Sequence, residues 1–216
     1  MSARPTMKPE ILEGLEEACL KAGGKPSPSP KKDVLLCFVD SLDQLKESIL
    51  NALPILSDPN SEFAYYPTIK KEKEHFMIKI DSYRNRFPIE ITSRKRKPID
   101  VPPFKVRIFQ ELIDEVKGGT LLFEMGNMRC SIDSEIYDRD RDQYVSWSEI
   151  DASCLIRMSK YPSAEERREI LEALPEYIDG LDMEIKAVEK EVDLLIDKFL
   201  RPGKTKKVGH KSYILY

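Results

Sequence analysis

Oxygen ligands for a hard divalent cation are the most suggestive chemistry in this sequence. Asp138, Asp140 and Asp142 stand at alternate positions of DRDRDQYVSWSE, and Glu149 follows eleven residues after the first of them. Carboxylates at positions one, three, five and twelve of a loop, with a backbone carbonyl at seven, are the set that wraps a calcium ion. Val145 occupies position eight and Ser146 position nine.

The twelve residues resemble the calcium loop of the EF-hand family, and the resemblance covers only them. It implies Asp138, Asp140, Asp142 and Glu149 as metal ligands. The stretch departs from the family at position six, where Gln143 replaces the glycine that makes the sharp turn. Arg139 and Arg141 cut the negative field, and the flanking segments read as strands where the family has helices. A charged turn between two strands is the favoured reading, with calcium binding as the lesser one.

A second metal chemistry would use Asp81 and Glu90. In IDSYRNRFPIEITSRKRK they are similar in placement to the acids of the PD-(D/E)xK nucleases, which hold a divalent ion and orient water. The residue two after Glu90 is Thr92 where that family has lysine, and lysines come only at Lys95 and Lys97. Nucleophilic catalysis would have to recruit His75 or His210, and no glycine-rich phosphate loop occurs. The sequence spells out neither a catalytic residue nor a cofactor site.

Charge is concentrated. Arg84, Arg86, Arg94, Lys95, Arg96 and Lys97 against Glu90 give the segment 84–97 a net +5, and the tail 201–216 carries another +5. Subtracting both from the total of −3 leaves −13 elsewhere, so two basic islands sit on an acidic body. The cluster SRKRKP could bind phosphate or act as a nuclear-import signal, with Tyr83 and Phe87 near enough to stack on bases. Ser29-Pro30-Lys31-Lys32 matches the substrate pattern of proline-directed kinases.

The elements that must position these groups follow from periodicity. The sequence predicts a helix over Pro9–Lys21, then a mobile Pro/Ser/Lys linker, GGKPSPSPKKD. VLLCFV reads as a buried strand, and Ser41 caps a helix bearing Leu42, Leu45, Ile49 and Leu53. EFAYYPTI, HFMIKID and RFPIEIT read as strands. Phe104, Ile108, Phe109, Leu112, Ile113 and Val116 have helical spacing; TLLFEM, MRCSIDSEIY, QYVSW and SCLIRM read as further strands. Cys19, Cys37, Cys130 and Cys154 show no paired spacing and are expected as reduced, core-facing thiols.

From Ser163, a capping box with Glu166 opens the strongest pattern. Leu171, Leu174, Ile178, Leu181, Ile185, Val188, Val192, Leu195 and Phe199 repeat at heptad spacing, with Pro175 expected to kink the run or restart it. The flanking positions are acidic: in a parallel self-pair Glu184 would face Glu189, so the helix is expected to meet either a different chain with basic flanks or this protein's own Pro9–Lys21 and Leu42–Leu53 helices.

The fold class expected is α+β: a small, mainly antiparallel sheet with packed helices and a long C-terminal heptad-patterned helix. The divisions are an N-terminal helix and linker (1–32), an α+β domain (33–162), the long helix (163–200) and a basic tail (201–216). No apolar run is long enough for a membrane span, and the N-terminus lacks a signal-like apolar core, so an intracellular protein, cytoplasmic or nuclear, is expected. The function expected is a non-enzymatic interaction or adaptor protein, a subunit of a larger assembly. It would contact its partner through the coiled-coil-like face of Ile178, Leu181, Ile185, Val188, Val192, Leu195 and Phe199. Nucleic-acid binding or metal-dependent cleavage through 84–97 is the alternative.

Overall fold

The computed structural model describes residues 6–73, 75–83, 86–101, 105–116, 119–138, 145–156, 158, 160–200, 206–208 and 211–213. The chain forms two compact units. One comprises Met1–Arg94, Leu122–Ser131 and Ala152–Leu181; the other comprises Lys95–Leu121, Ile132–Asp151 and Asp182–Tyr216.

In the first unit, α1 (Pro9–Lys21) opens on a proline whose fixed φ suits the first turn and buries Leu12, Leu15 and Cys19. Gly23, at φ +77°, closes it: its N–H donates to the Leu20 carbonyl, and that of Gly24 to the Cys19 carbonyl. The expected linker is not one. Lys25–Pro28 forms β1, antiparallel to β2 (Leu35–Val39), with Ser27 opposite Leu36. A tight turn joins them, in which Ser29 Oγ donates to Asp33 Oδ1 at 2.5 Å and the Lys32 N–H to the Ser29 carbonyl. Proline and lysine in 25–32 read as solvated coil, but two prolines are tolerated in an edge strand.

Ser41 caps α2 (Leu42–Leu56) by accepting from the Gln44 N–H, and Leu45, Ile49, Ala52 and Leu56 are buried along one face. Leu15, Ile49, Ala52 and Leu56 from the two helices meet Pro67, Ile78 and Ile80 from β3 (Ala64–Glu72) and β4 (His75–Tyr83) around a small internal void. Ile69 pairs with Ile78 and Pro67 with Ile80, so one parity of each strand faces these helices. All four cysteines are paired, which corrects the expectation of reduced thiols: Cys19 of α1 bonds Cys37 of β2, and Cys130 bonds Cys154. The partners are 18 and 24 residues apart, and only tertiary packing brings them together.

Among the described residues, eight strands make one sheet in the order β1-β2-β4-β3-β5-β8-β7-β6. The remaining members are β5 (Glu90–Asp100), β6 (Gly119–Met125), β7 (Met128–Asp138) and β8 (Val145–Ile156). β3 and β5 pair in parallel, with Ile69 opposite Ile91, while the pairs β1–β2, β2–β4 and β3–β4 are antiparallel. The sheet is larger than expected, and Val145–Trp147 and Ser153–Ile156, from segments read as two separate strands, belong to the single strand β8.

The long helix α4 (Ala164–Leu200) opens with the expected capping box: the Glu166 N–H donates to Ser163 Oγ and the Ser163 N–H to Glu166 Oε2. It runs through Pro175 as one helix, so no new helix begins there. Gly180, costly in mid-helix, has a packing reason: a Cβ there would lie 2.8 Å from Met125 Sδ. A Cβ on Gly126, at φ +54° in the β6–β7 turn, would run into Tyr177 Oη. These contacts lie in the first unit.

The second unit has its own apolar cluster. Ile99 of β5 and Val101 just after it, Phe109 and Leu112 of α3 (Val106–Val116), Ile136 of β7 and Val192 of α4 are all buried together. Ile113, Val188, Leu195, Ile196, Phe199 and Leu200 pack against them. Lys105, buried just before α3, donates to the Leu200 carbonyl at the end of α4, where a cation complements the helix dipole. Phe104 lies outside the described residues. The tail contributes a separate two-stranded pair, β9 (Lys206–Val208) and β10 (Lys211–Tyr213).

Candidate functional site

The apolar face of α4 is built into the chain. Leu171, Leu174, Ile178 and Leu181 are buried in the first unit, and Ile185 and Val192 in the second. Val188, Leu195 and Phe199 are half-buried against the Ile99–Leu112 cluster. An amphipathic helix acquires most of its stability from burying such a stripe. Of the seven residues expected to meet a partner, Ile178, Leu181, Ile185 and Val192 are buried within the chain's own units, and Val188, Leu195 and Phe199 are partly buried.

The opposite side of α4 carries the residues that sequence reasoning passed over. At 100° per residue, Met183, Ala187 and Leu194 fall within one narrow sector, about 180° from Ile185 and Val192. Met183 is 66% exposed and Leu194 59%. Lys186 and Lys190 border this ridge on one side, Glu184 and Glu191 on the other, and all are exposed. Lys186 is held along the helix by Asp182 at 2.8 Å. The heptad dominated the pattern, but the ridge was visible in it as apolar residues out of register.

The basic run is largely spoken for. On β5, Lys95 Nζ lies 2.5 Å from Glu189 and Lys97 Nζ 2.7 Å from Asp193, both carboxylates on α4. The Asp193 hydrogen bond holds the Lys97 ammonium above its ordinary pKa of 10.5. Arg96 emerges on the other face of the strand. Its Nε donates to Glu149 at 2.5 Å, and its guanidinium stacks over the Trp147 ring at 5.6 Å, with Tyr137 beyond. Arg94 is exposed, and Arg86 stacks on Tyr83 at 5.8 Å. Arg84 lies outside the described residues. Four acidic side chains nearby, Glu149, Glu189, Asp193 and Glu135, offset the field that a polyanion would seek. Tyr83 stacks on Tyr66 at 6.0 Å and Phe87 is buried, so neither ring stands ready as an open platform.

Among the described residues neither metal reading is assembled. Asp140 and Asp142 lie outside the described residues. Glu149, the proposed twelfth-position ligand, is buried and bonded to Arg96, and the flanks are the strands β7 and β8, where the EF-hand has helices. Asp138 ends β7. For the nuclease reading, Glu90 has even parity on β5 and Lys95 and Lys97 odd parity, so they point to opposite faces of one strand. Asp81 is buried beside Lys79 at 2.8 Å. Among the described residues no group of three or more His, Cys, Asp or Glu side chains is placed to hold a metal ion. His75 bonds Asp40 at 3.0 Å, and His210 lies outside the described residues. No helix among the described residues is long and apolar enough to cross a membrane.

No protein-family model, curated protein or solved structure matches the chain.

Proposed function

We propose that this chain is a non-enzymatic interaction protein, a subunit of a larger assembly, that meets a different chain through α4. The observation that carries the reading is the outward ridge of Met183 and Leu194, two large apolar side chains more than half exposed on the face opposite the buried stripe. Exposed apolar residues aligned along a helix and rimmed by charges suit helix-to-helix docking. The lysines on one flank and glutamates on the other ask for a partner helix whose acidic flank meets Lys186 and Lys190 and whose basic flank meets Glu184 and Glu191. The basic segment 84–97 contributes little, because its lysines are engaged by Glu189 and Asp193.

Affinity capture with mass spectrometry, comparing the full chain with Met183→Glu/Leu194→Glu, tests this. The expected result is a stoichiometric different chain with the parent and its loss with the variant, at unchanged circular dichroism. Equal capture by both proteins would refute the α4 ridge as the contact.

A further inference from the structure

The two ends of the eight-stranded sheet are built differently. β1 ends it on one side with four residues, Lys25-Pro26-Ser27-Pro28. A short strand with a lysine and two prolines, which donate no N–H, is a poor template for another strand. β6 ends the sheet on the other side among the described residues, and it has seven residues, no proline and no lysine. Its sequence is Gly119-Thr120-Leu121-Leu122-Phe123-Glu124-Met125, with Leu121 40% and Leu122 75% exposed. A bare apolar edge presents unused backbone donors and acceptors next to side chains that water solvates poorly.

We propose that β6 pairs antiparallel with β6 of a second copy, on a two-fold axis through Leu122. The strand's own sequence selects this occupant. With Leu122 opposite itself, Leu121 meets Phe123 and Gly119 meets Met125, so the apolar side chains on one face lie against apolar neighbours. The strand's only charged residue, Glu124, meets Thr120 and never its own copy, so no like charges are apposed. Glu124 is already drawn to Arg129 at 3.5 Å. The pairing is isologous and closes at two copies, joining two sheets edge to edge. It leaves the α4 ridge unused and does not rest on the function proposed above.

Sedimentation velocity of the full chain over a range up to about 100 μM reads the mass directly. The expected species has twice the 25.0 kDa chain mass, and Leu122→Lys restores the single-chain mass at unchanged circular dichroism. A parent that stays at single-chain mass throughout overturns the proposal, as does a Leu122→Lys dimer of undiminished affinity. A separate reading avoids reliance on the folding of the lysine variant. Residues directly opposite across an antiparallel pair have Cβ atoms about 4.5–5.5 Å apart, so Leu122→Cys should cross-link into a dimer on mild oxidation. Absence of that dimer on a non-reducing gel would equally overturn the pairing.

Discussion

Replacing Ile185 by aspartate separates a helix face that serves the chain's own core from one reserved for a partner. Ile185 is 5% exposed in the isolated chain. Removing its side chain forfeits about 1.5–3 kcal/mol of apolar burial. The introduced carboxyl must also stay neutral to remain buried, and holding it so at pH 7, about three units above its ordinary 3.9, costs about 4 kcal/mol. The loss of about 6 kcal/mol is comparable with the whole net stability of an ordinary domain, roughly 5–15 kcal/mol. Urea titration followed by circular dichroism should find Ile185→Asp largely unfolded at pH 7. The sign with pH is fixed by the same logic: a carboxyl with a raised folded pKa destabilises more as pH rises, so the deficit should shrink towards pH 4. Ile185→Ala should cost about 2–5 kcal/mol, whereas Met183→Asp, one face away, should stay within about 0.5 kcal/mol of the parent. A deficit for Ile185→Asp below about 1 kcal/mol, independent of pH, would refute the placement of Ile185 in the core.

Other expectations follow from particular contacts. Thiol titration of the native, unreduced chain should find no reactive cysteine, and four after reduction in denaturant; losing the Cys19–Cys37 bond, which closes an 18-residue loop, should cost about 3 kcal/mol on loop entropy. Glu166 is held below its ordinary pKa of 4.5 by the Ser163 N–H and hydroxyl. Its contribution is therefore present above that value and lost as pH falls through the lowered one, so Glu166→Ala and the parent should converge in stability in strong acid and diverge above about pH 5. Because Lys95 and Lys97 are paired with Glu189 and Asp193, duplex DNA binding should be weak, and the steep fall with salt that real phosphate contacts give should be missing; a slope equivalent to several phosphate contacts would restore the nucleic-acid reading.

Elements with strong local signals were legible in the sequence. Ser41 and Ser163 marked their helix starts because a side-chain oxygen facing orphan N–H groups is a local matter, and Pro9 and Gly23 bounded α1 for similar reasons. Residues 25–28 were misjudged because an edge strand tolerates prolines that a central strand would reject. Pro175 and Gly180 looked like breaks because their neighbours, among them Met125 packed on Gly180, are distant in sequence. The disulfide partners were hidden for the same reason. The heptad stripe correctly found the face of α4 that buries, but periodicity reports only that a face is apolar, and the chain's own cluster around Ile99 and Leu112 covers the part that spacing alone assigned to a partner. The Lys95–Glu189 and Lys97–Asp193 pairs turned an apparent polyanion site into a brace between β5 and α4.

Side-chain footprinting by brief hydroxyl-radical labelling, read by mass spectrometry on the native chain alone, reports both faces of α4 in one experiment. Met183 and Leu194 should label readily, while Ile185 and Val192, each 5% exposed, should remain unlabelled until the protein is denatured. Labelling of Ile185 and Val192 at the same solvent-corrected rate as Leu194 in the native chain would contradict the inward stripe, and with it the assignment of the outward ridge as the surface left for a partner.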